Sequence, residues 1–320
     1  MQTDTHPLYL GADIGKDEVV VACSEGSFTP RTIANRRTSL LTFLVSLPPG
    51  SSIGMESTGS YHEVFATLAY KKGFRVYLLN PRDARHYAKG VGQRGKTDRV
   101  DAQLLARMVA QEHAQLHPWI PPTPEQRQFQ RLLKRRAKLS AIRAALGLSL
   151  KDLSGFAAER KSLMTTVGRV IERIDERLAT LINATQARRE AFARLRGIPG
   201  VGPVIASGLL AALERLPYPD ADAFVAFSGL DPRPDDSGHH RGRRRLSKRG
   251  PSELRRLLYL AAMAGARVKV WQPYYERYRA KGLSSTAALV VLARRIARTA
   301  WSLYAHKTTF TPERQAMPLT

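Results

Sequence analysis

Acidic residues are scarce in this chain: 27 Asp and Glu stand against 51 Lys and Arg, a formal net charge of +24. So large a cationic surplus speaks about partners rather than fold. It points to a polyanion, since each neutralised phosphate releases counterions. An anionic membrane surface is the competing partner. No apolar run reaches membrane-spanning length, and the opening MQTDTHP does not have the basic-then-apolar layout of a signal peptide. Cysteine is nearly absent. The single Cys23 excludes an internal disulfide, and no Cys/His set has zinc spacing. Its neighbours Val19, Val20, Val21 and Ala22 mark it as a buried thiol. A reducing cytoplasm fits, and any metal must be held by oxygen ligands. Repeats and low-complexity tracts are missing too, which excludes solenoids. Hydrophobic residues at 43% of 320 positions are enough for two cores.

Patterning divides the chain. Tyr9 to Ala12 reads as a short strand ending at Asp13. Gly15-Lys16-Asp17 reads as a turn, and Val19 to Cys23 as the second strand of a hairpin. Leu40 to Leu47 is a helix stopped by Pro48-Pro49-Gly50, and Ser52 to Met55 a strand delivering Glu56. Tyr61 to Tyr70 is a helix closed by Lys72-Gly73. Val76 to Leu79 is a strand stopped by Asn80-Pro81, and a helix runs from Thr97 or Asp98 to about Glu112. This mixture predicts a sheet flanked by helices. His117 to Pro124 is a stiff proline-rich linker. After it, apolar residues recur at three- and four-residue spacing from Phe129 to Leu153 and from Leu163 to Leu181. Two long amphipathic helices follow from that spacing; they read equally well as a helical hairpin or as a coiled coil between protomers. From Arg194 onward the chain reads as all-α with one long basic loop. The domains expected are 1–116, an α/β unit; 117–193, linker and long helices; and 194–320, the mainly α C-terminal part.

Four carboxylates stand out by position. Asp13 and Glu56 end strands, and Asp98 and Asp101 share one face at a helix start. Open α/β sheets place ligand sites at such strand ends. Each residue also has an ordinary role: a turn for Asp13, a surface carboxylate for Glu56, an N-cap and a first-turn acid for Asp98 and Asp101. In a chain so short of acids, convergence is the better account. Convergence demands cations, and Mg²⁺ takes oxygen ligands while leaving room for a substrate phosphate.

The densest basic stretch runs from Asp236 to Gly250, with Arg241, Arg243, Arg244, Arg245, Lys248 and Arg249 suited to phosphate contacts. It can equally be a solvated loop. Ser237 at its edge needs an activating group to become a nucleophile; otherwise it is a turn residue. Gly197-Ile198-Pro199-Gly200-Val201-Gly202 precedes an apolar helix from Ile205. Its backbone amides, at Gly200 and Gly202, suit phosphate binding at a helix N-terminus, or form an ordinary turn.

Asp13-Ile14-Gly15-Lys16, Glu56-Ser57-Thr58-Gly59 and Lys96-Thr97-Asp98-Arg99-Val100-Asp101-Ala102 resemble the motifs of the DEDD transposases of the IS110 insertion-sequence family. Those proteins are relatives of Piv-type DNA invertases and are bridge-RNA-guided recombinases. Phe227-Ser228-Gly229-Leu230-Asp231-Pro232-Arg233, Ser237-Gly238 and Ser247-Lys248-Arg249-Gly250 resemble the family's C-terminal transposase domain. Members often carry Ser or Thr after the Ser-Gly pair; this chain has His239-His240. The resemblance implies a RuvC-like, ribonuclease-H-type N-terminal domain and Mg²⁺ on Asp13, Glu56, Asp98 and Asp101. It implies that Ser237, rather than Ser228, Ser247 or Ser252, is the nucleophile forming a phosphoserine link. It further implies a DNA strand-cleaving and rejoining enzyme of the prokaryotic cytoplasm and nucleoid, a dimer or tetramer acting on element ends and target DNA with a structured noncoding RNA. Lys96 joins the loop cations as an expected nucleic-acid contact. The alternatives are a RuvC-type junction endonuclease using water, and a non-catalytic nucleic-acid-binding protein.

Overall fold

The structure is a computed structural model that describes residues 6–24, 28–57, 59, 61–93, 95, 97–233, 236–237, 240–242 and 244–312. For Asp236, Ser237, His240 and Arg241 it describes the backbone alone. The chain divides into two compact units, Met1–Pro121 and Pro122–Thr320.

The first unit is built on β1 (Tyr9–Ile14), β2 (Glu18–Cys23), β3 (Arg31–Ala34), β4 (Ser52–Glu56) and β5 (Arg75–Leu79), in the order β3-β2-β1-β4-β5. The first three strands form an antiparallel meander, while β4 and β5 run parallel to β1. Alternation sorts the strand side chains. Leu10, Ala12, Val19, Val21, Ile53, Met55 and Val76 face α1 (Arg37–Val45) and α2 (His62–Lys71) in one apolar layer. The opposite face, including Tyr77 and Leu79, packs with α4 (Asp98–Glu112) and with α3 (Pro81–Gly90). Cys23 is buried, as its apolar run requires. Trp119 donates its backbone N–H to the Val76 carbonyl at 2.7 Å and sets its ring against Tyr70, so the linker begins pinned to this unit.

Two elements of this unit depart from the sequence expectation. β3 has mixed, mostly exposed residues and shows no clean alternation. α3 begins where Asn80-Pro81 was expected to stop the chain. Asn80 is its N-cap, accepting from the Arg82 amide at 2.9 Å, and Pro81 occupies the first turn. The same pair that ends a strand starts a helix, because proline's missing N–H is not needed there.

The second unit begins with α5 (Pro124–Ser149), opened by a reciprocal capping box between Thr123 and Gln126, and α6 (Ala157–Asn183). The two pack side by side as a hairpin, tied by a forked pair from Arg136 to Asp175 with one arm at 2.9 Å. The core lies with α7 (Gln186–Arg196), α8 (Pro203–Leu213), α9 (Ala221–Ser228), α10 (Ser252–Gly265), α11 (Gln272–Ala280) and α12 (Ser285–Ala305). Trp271, 1% exposed, donates its indole N–H to the Pro199 carbonyl at 3.0 Å and locks the glycine-rich turn to α11. The expected all-α reading of this unit needs a correction. The basic loop carries β6 (Pro232–Arg233) paired with β9 (Arg245–Leu246), and β7 (Asp236–Ser237) paired with β8 (His240–Arg241). Strands of two residues carry no periodicity, so they left no pattern to read.

Candidate active site

The site begins with strand parity. Tyr9, Gly11 and Asp13 alternate with Leu10 and Ala12, so they face α4 rather than the apolar layer. The same parity sends Gly54 and Glu56 to the α4 side of β4. A methyl at Gly11 would overlap the Ala102 carbonyl oxygen and the Ala106 amide nitrogen, and one at Gly54 would overlap the Val109 side chain. Ala102 and Ala106 are themselves wholly buried. Small residues on both surfaces therefore let α4 lie almost directly on the sheet. Tyr9 meets His113 at the far end of α4, with ring centroids 5.0 Å apart, so the helix runs antiparallel to β1. Its N-terminus consequently arrives at the carboxyl ends of β1 and β4.

There Asp98 and Asp101 meet Asp13 and Glu56. Asp13 is half-buried, and its carboxyl is pushed up to about 6, first by burial and then by the charges of Asp98, Asp101 and Glu56. The charges of Asp98, Asp101 and Glu56 thus all bear on Asp13. The N-cap role proposed as an alternative for Asp98 falls to Thr97, whose hydroxyl accepts from the Val100 amide at 3.3 Å. Asp98 is exposed, while Asp101 and Glu56 are partly buried. Among the described residues no group of three or more His, Cys, Asp or Glu side chains is gathered closely enough to hold a metal ion. The donor chemistry nonetheless suits a hard dication: oxygen ligands alone, a surplus of negative charge, and a partly buried carboxylate that a cation would return to its ionised form. The positive end of the α4 dipole favours the ionised acids but carries about half a charge, too little to neutralise four carboxylates.

Gly11 and Gly54 are positioning residues that the sequence argument did not single out. A glycine inside a strand signals close backbone approach, which was the available sign. We expect Gly11→Ala to push α4 off the sheet by about 1 Å and to lower strand cleavage about 100-fold, since a displacement of that size carries such a penalty. Far-ultraviolet circular dichroism with a cleavage assay checks this; full activity in a folded variant counts against the seating role.

In the second unit Ser237 pairs with His240 in the β7–β8 ribbon. Two rival serines are occupied. Ser228 is wholly buried and donates to the Val225 carbonyl at 2.6 Å. Ser247 is buried and donates to the Asp231 carboxylate. Ser252 is the first residue of α10. The loop base is fixed by Arg255, which donates to the carbonyls of Ser228 and Gly250, and by Gly229 in the left-handed region at φ 71°. Lys248 is also left-handed at φ 52°, an unusual conformation for a residue with a side chain. Arg244, Arg245, Lys248 and Arg249 are exposed. Arg233 and Arg245 stand directly opposite each other across the β6–β9 ribbon. Like charges so placed repel unless an anion bridges them. Lys96 and Arg243 lie outside the described residues, as does the side chain of Arg241.

The glycine-rich turn divides by role. Gly200 has φ 89°, and a Cβ there would come within 2.6 Å of the Ala261 carbonyl, so this residue serves packing against α10. Gly202, the N-cap of α8, faces open space.

Known sequences match both units. The profile of the family described as "Transposase IS116/IS110/IS902 family" matches residues 192–276, which include Ser237 and the basic loop. A second transposase profile, that of the DEDD proteins of the same family, matches residues 10–153, which include all four acids. The pilin gene-inverting protein of Moraxella bovis is 29% identical over 255 residues, covering 76% of each chain. The transposase for insertion sequence element IS1328 of Yersinia enterocolitica is 27% identical over 341 aligned positions, covering 94% of this chain and 98% of that one. A probable family 20 transposase of Pseudomonas aeruginosa is 25% identical, covering 87% of this chain and 90% of its own length. A DEDD domain implies a RuvC-like fold and divalent-metal dependence, and the mixed sheet of the first unit is consistent with it. This chain belongs to the IS110/IS116 family of transposases, enzymes that cut and rejoin DNA.

Proposed function

We propose that this transposase breaks and rejoins DNA at the ends of a mobile element, with Mg²⁺ held by Asp13, Glu56, Asp98 and Asp101, and with Ser237 as nucleophile. The observation that carries the reading is the convergence of three carboxylates on the partly buried Asp13. When bound, Mg²⁺ supplies neutralising charge and Lewis acidity at a phosphodiester. The chain's own residues do the rest. Ser237 Oγ attacks phosphorus, an Oγ–P bond forms, and the P–O3′ bond breaks with its electron pair leaving on the 3′ oxygen. The serine proton is lost to solvent or to His239 or His240, and the 3′ oxygen takes up a proton. Reversal by a different 3′ hydroxyl rejoins strands without an outside energy source. The cations Arg244, Arg245, Lys248 and Arg249, with Arg241 and Arg243, hold the phosphate backbone.

Two further parts of the proposal rest on different support. The family resemblance supports a structured noncoding guide RNA as a partner, which the cationic surplus accommodates. The exposed apolar side chains Ile142, Leu148, Leu153, Phe156 and Leu163 along α5, α6 and their connection support a dimer or tetramer joined there. The inversion chemistry named for the Moraxella relative fits the same strand exchange.

The test is cleavage of element-end DNA across pH 5 to 8 at two Mg²⁺ concentrations. Protons and metal compete for Asp13, whose carboxyl sits near 6. At limiting Mg²⁺ the rate is expected to fall about tenfold per pH unit below 6, as for one essential proton. At saturating Mg²⁺ the fall shifts to lower pH. A rate indifferent to both metal and pH in this window contradicts the carboxylate site.

A further inference from the structure

The α3 helix has two faces of opposite character. Ala84, Tyr87 and Ala88 are turned inward: Ala84 is buried, Tyr87 and Ala88 are partly buried, and the Tyr87 hydroxyl donates to the Gln111 side chain on α4. Arg82, Arg85, His86 and Lys89 recur at three- and four-residue spacing on the other side, and all four are exposed. A face kept polar merely for solubility mixes signs. This one carries cations or histidine, and the helix's one acid, Asp83, is partly buried and already engaged.

Position gives the stripe its meaning. Glu56 pairs with Leu79 across β4 and β5, and the Ser57 hydroxyl donates to the Leu79 carbonyl at 3.2 Å. The next residue, Asn80, caps α3. The cationic helix therefore springs from the same sheet edge as the acids. A cleft of four carboxylates repels the phosphates it must receive. A cationic rail beside it offsets that repulsion before any metal arrives.

We propose that Arg82, Arg85, His86 and Lys89 seat the DNA backbone next to the acid cluster. The stripe extends over eight residues, Arg82 to Lys89, about 10 Å of helix. That matches roughly three base-pair steps at ~3.4 Å each. The contact reads no sequence; it sets the register of the strand to be cut. The inference rests on the transposase reading, because the phosphate path is defined by the acid site.

The test uses the full chain, an element-end DNA duplex and EDTA, so that binding is measured without cleavage. Arg85→Gln with Lys89→Gln is compared with Lys71→Gln with Lys72→Gln, exposed cations at the end of α2 on the other sheet face. Each phosphate contact contributes about 0.9 to the slope of log affinity against log salt. The α3 pair is expected to flatten the slope by about 1.8, and with it to lose roughly twelvefold less affinity between ~50 and ~200 mM salt. The α2 pair is expected to leave the slope unchanged. Equal slopes for all three proteins overturn the proposal, as does equal flattening by both pairs, which would reflect bulk charge. Flattening seen with a structured RNA probe and not with DNA also overturns it. The two levels separate cleanly: no DNA binding by the wild type contradicts the transposase reading, whereas normal binding with an unaltered α3 slope contradicts this inference alone.

Discussion

Ser237→Ala is expected to abolish element excision while leaving DNA binding nearly intact. In the proposed mechanism the hydroxyl supplies the atom bonded to phosphorus, so nothing else can carry the strand. Loss of a nucleophile in hydrolases of comparable logic lowers rate by about 10⁶. The structure sharpens the expectation by removing substitutes. Ser228 is wholly buried against the Val225 carbonyl, and Ser247 is bound to Asp231. Two measurements belong together. Junction amplification for excised circles in cells should be negative for Ser237→Ala and for Asp101→Ala. Denaturing gels with labelled DNA should show a protein-linked species for wild type and none for Ser237→Ala. Circles formed by the serine variant at the wild-type level would leave a hydrolytic route, of the RuvC type, as the remaining mechanism.

The second large effect concerns stability and has the opposite sign from activity. Asp13→Asn is expected to end cleavage and to raise the melting temperature of the metal-free protein. The folded state holds the Asp13 carboxyl near 6 against 3.8 for the free side chain. A raised carboxyl pKa means that the folded chain prefers the protonated form. Its stability is fullest below the unfolded value and is lost as pH rises through about 6. Asparagine imitates the protonated acid at every pH. The gain at pH 7.5 is on the order of 1 kcal/mol once screening at a half-exposed position is allowed for. That corresponds to about 2–4 °C in a domain of this size. It should shrink at pH 5, where wild-type Asp13 is largely protonated. Added Mg²⁺ should raise the wild-type melting temperature and leave the variant nearly unchanged. Scanning calorimetry at the two pH values, with and without metal, measures all four states. A variant less stable than wild type at pH 7.5 would mean that Asp13 serves the fold rather than a metal.

The site was more legible than the framework holding it. Asp13, Glu56, Asp98 and Asp101 were readable because strand ends and a capped helix start can be located from periodicity and turn chemistry. Their convergence was an argument from scarcity of acids, and α4 makes it physical by lying close on Gly11 and Gly54. Those glycines are silent in a hydrophobic pattern, since an unadorned strand position neither adds to nor breaks the alternation. The α3 helix escaped because Asn80-Pro81 signals both a strand end and a helix start, and the sequence alone offers no choice between them. The ribbons around Ser237 escaped for a different reason. Their pairing of two residues against two is too short to leave an alternation in the sequence. The long helices were plain in their spacing, and they pack against each other as a hairpin. Spacing alone carries no information on whether a second chain joins them.

The buried Cys23 has a practical corollary. It is the only thiol in the chain and is 6% exposed in the sheet. A cysteine introduced on a solvent-facing position, such as Lys71 on α2 or Lys138 on α5, would therefore react far faster than the native one. Dyes or spin labels could be attached at a single chosen point without first stripping the protein of its own cysteine. Such labels would report in real time how the environment of each unit changes as DNA is bound.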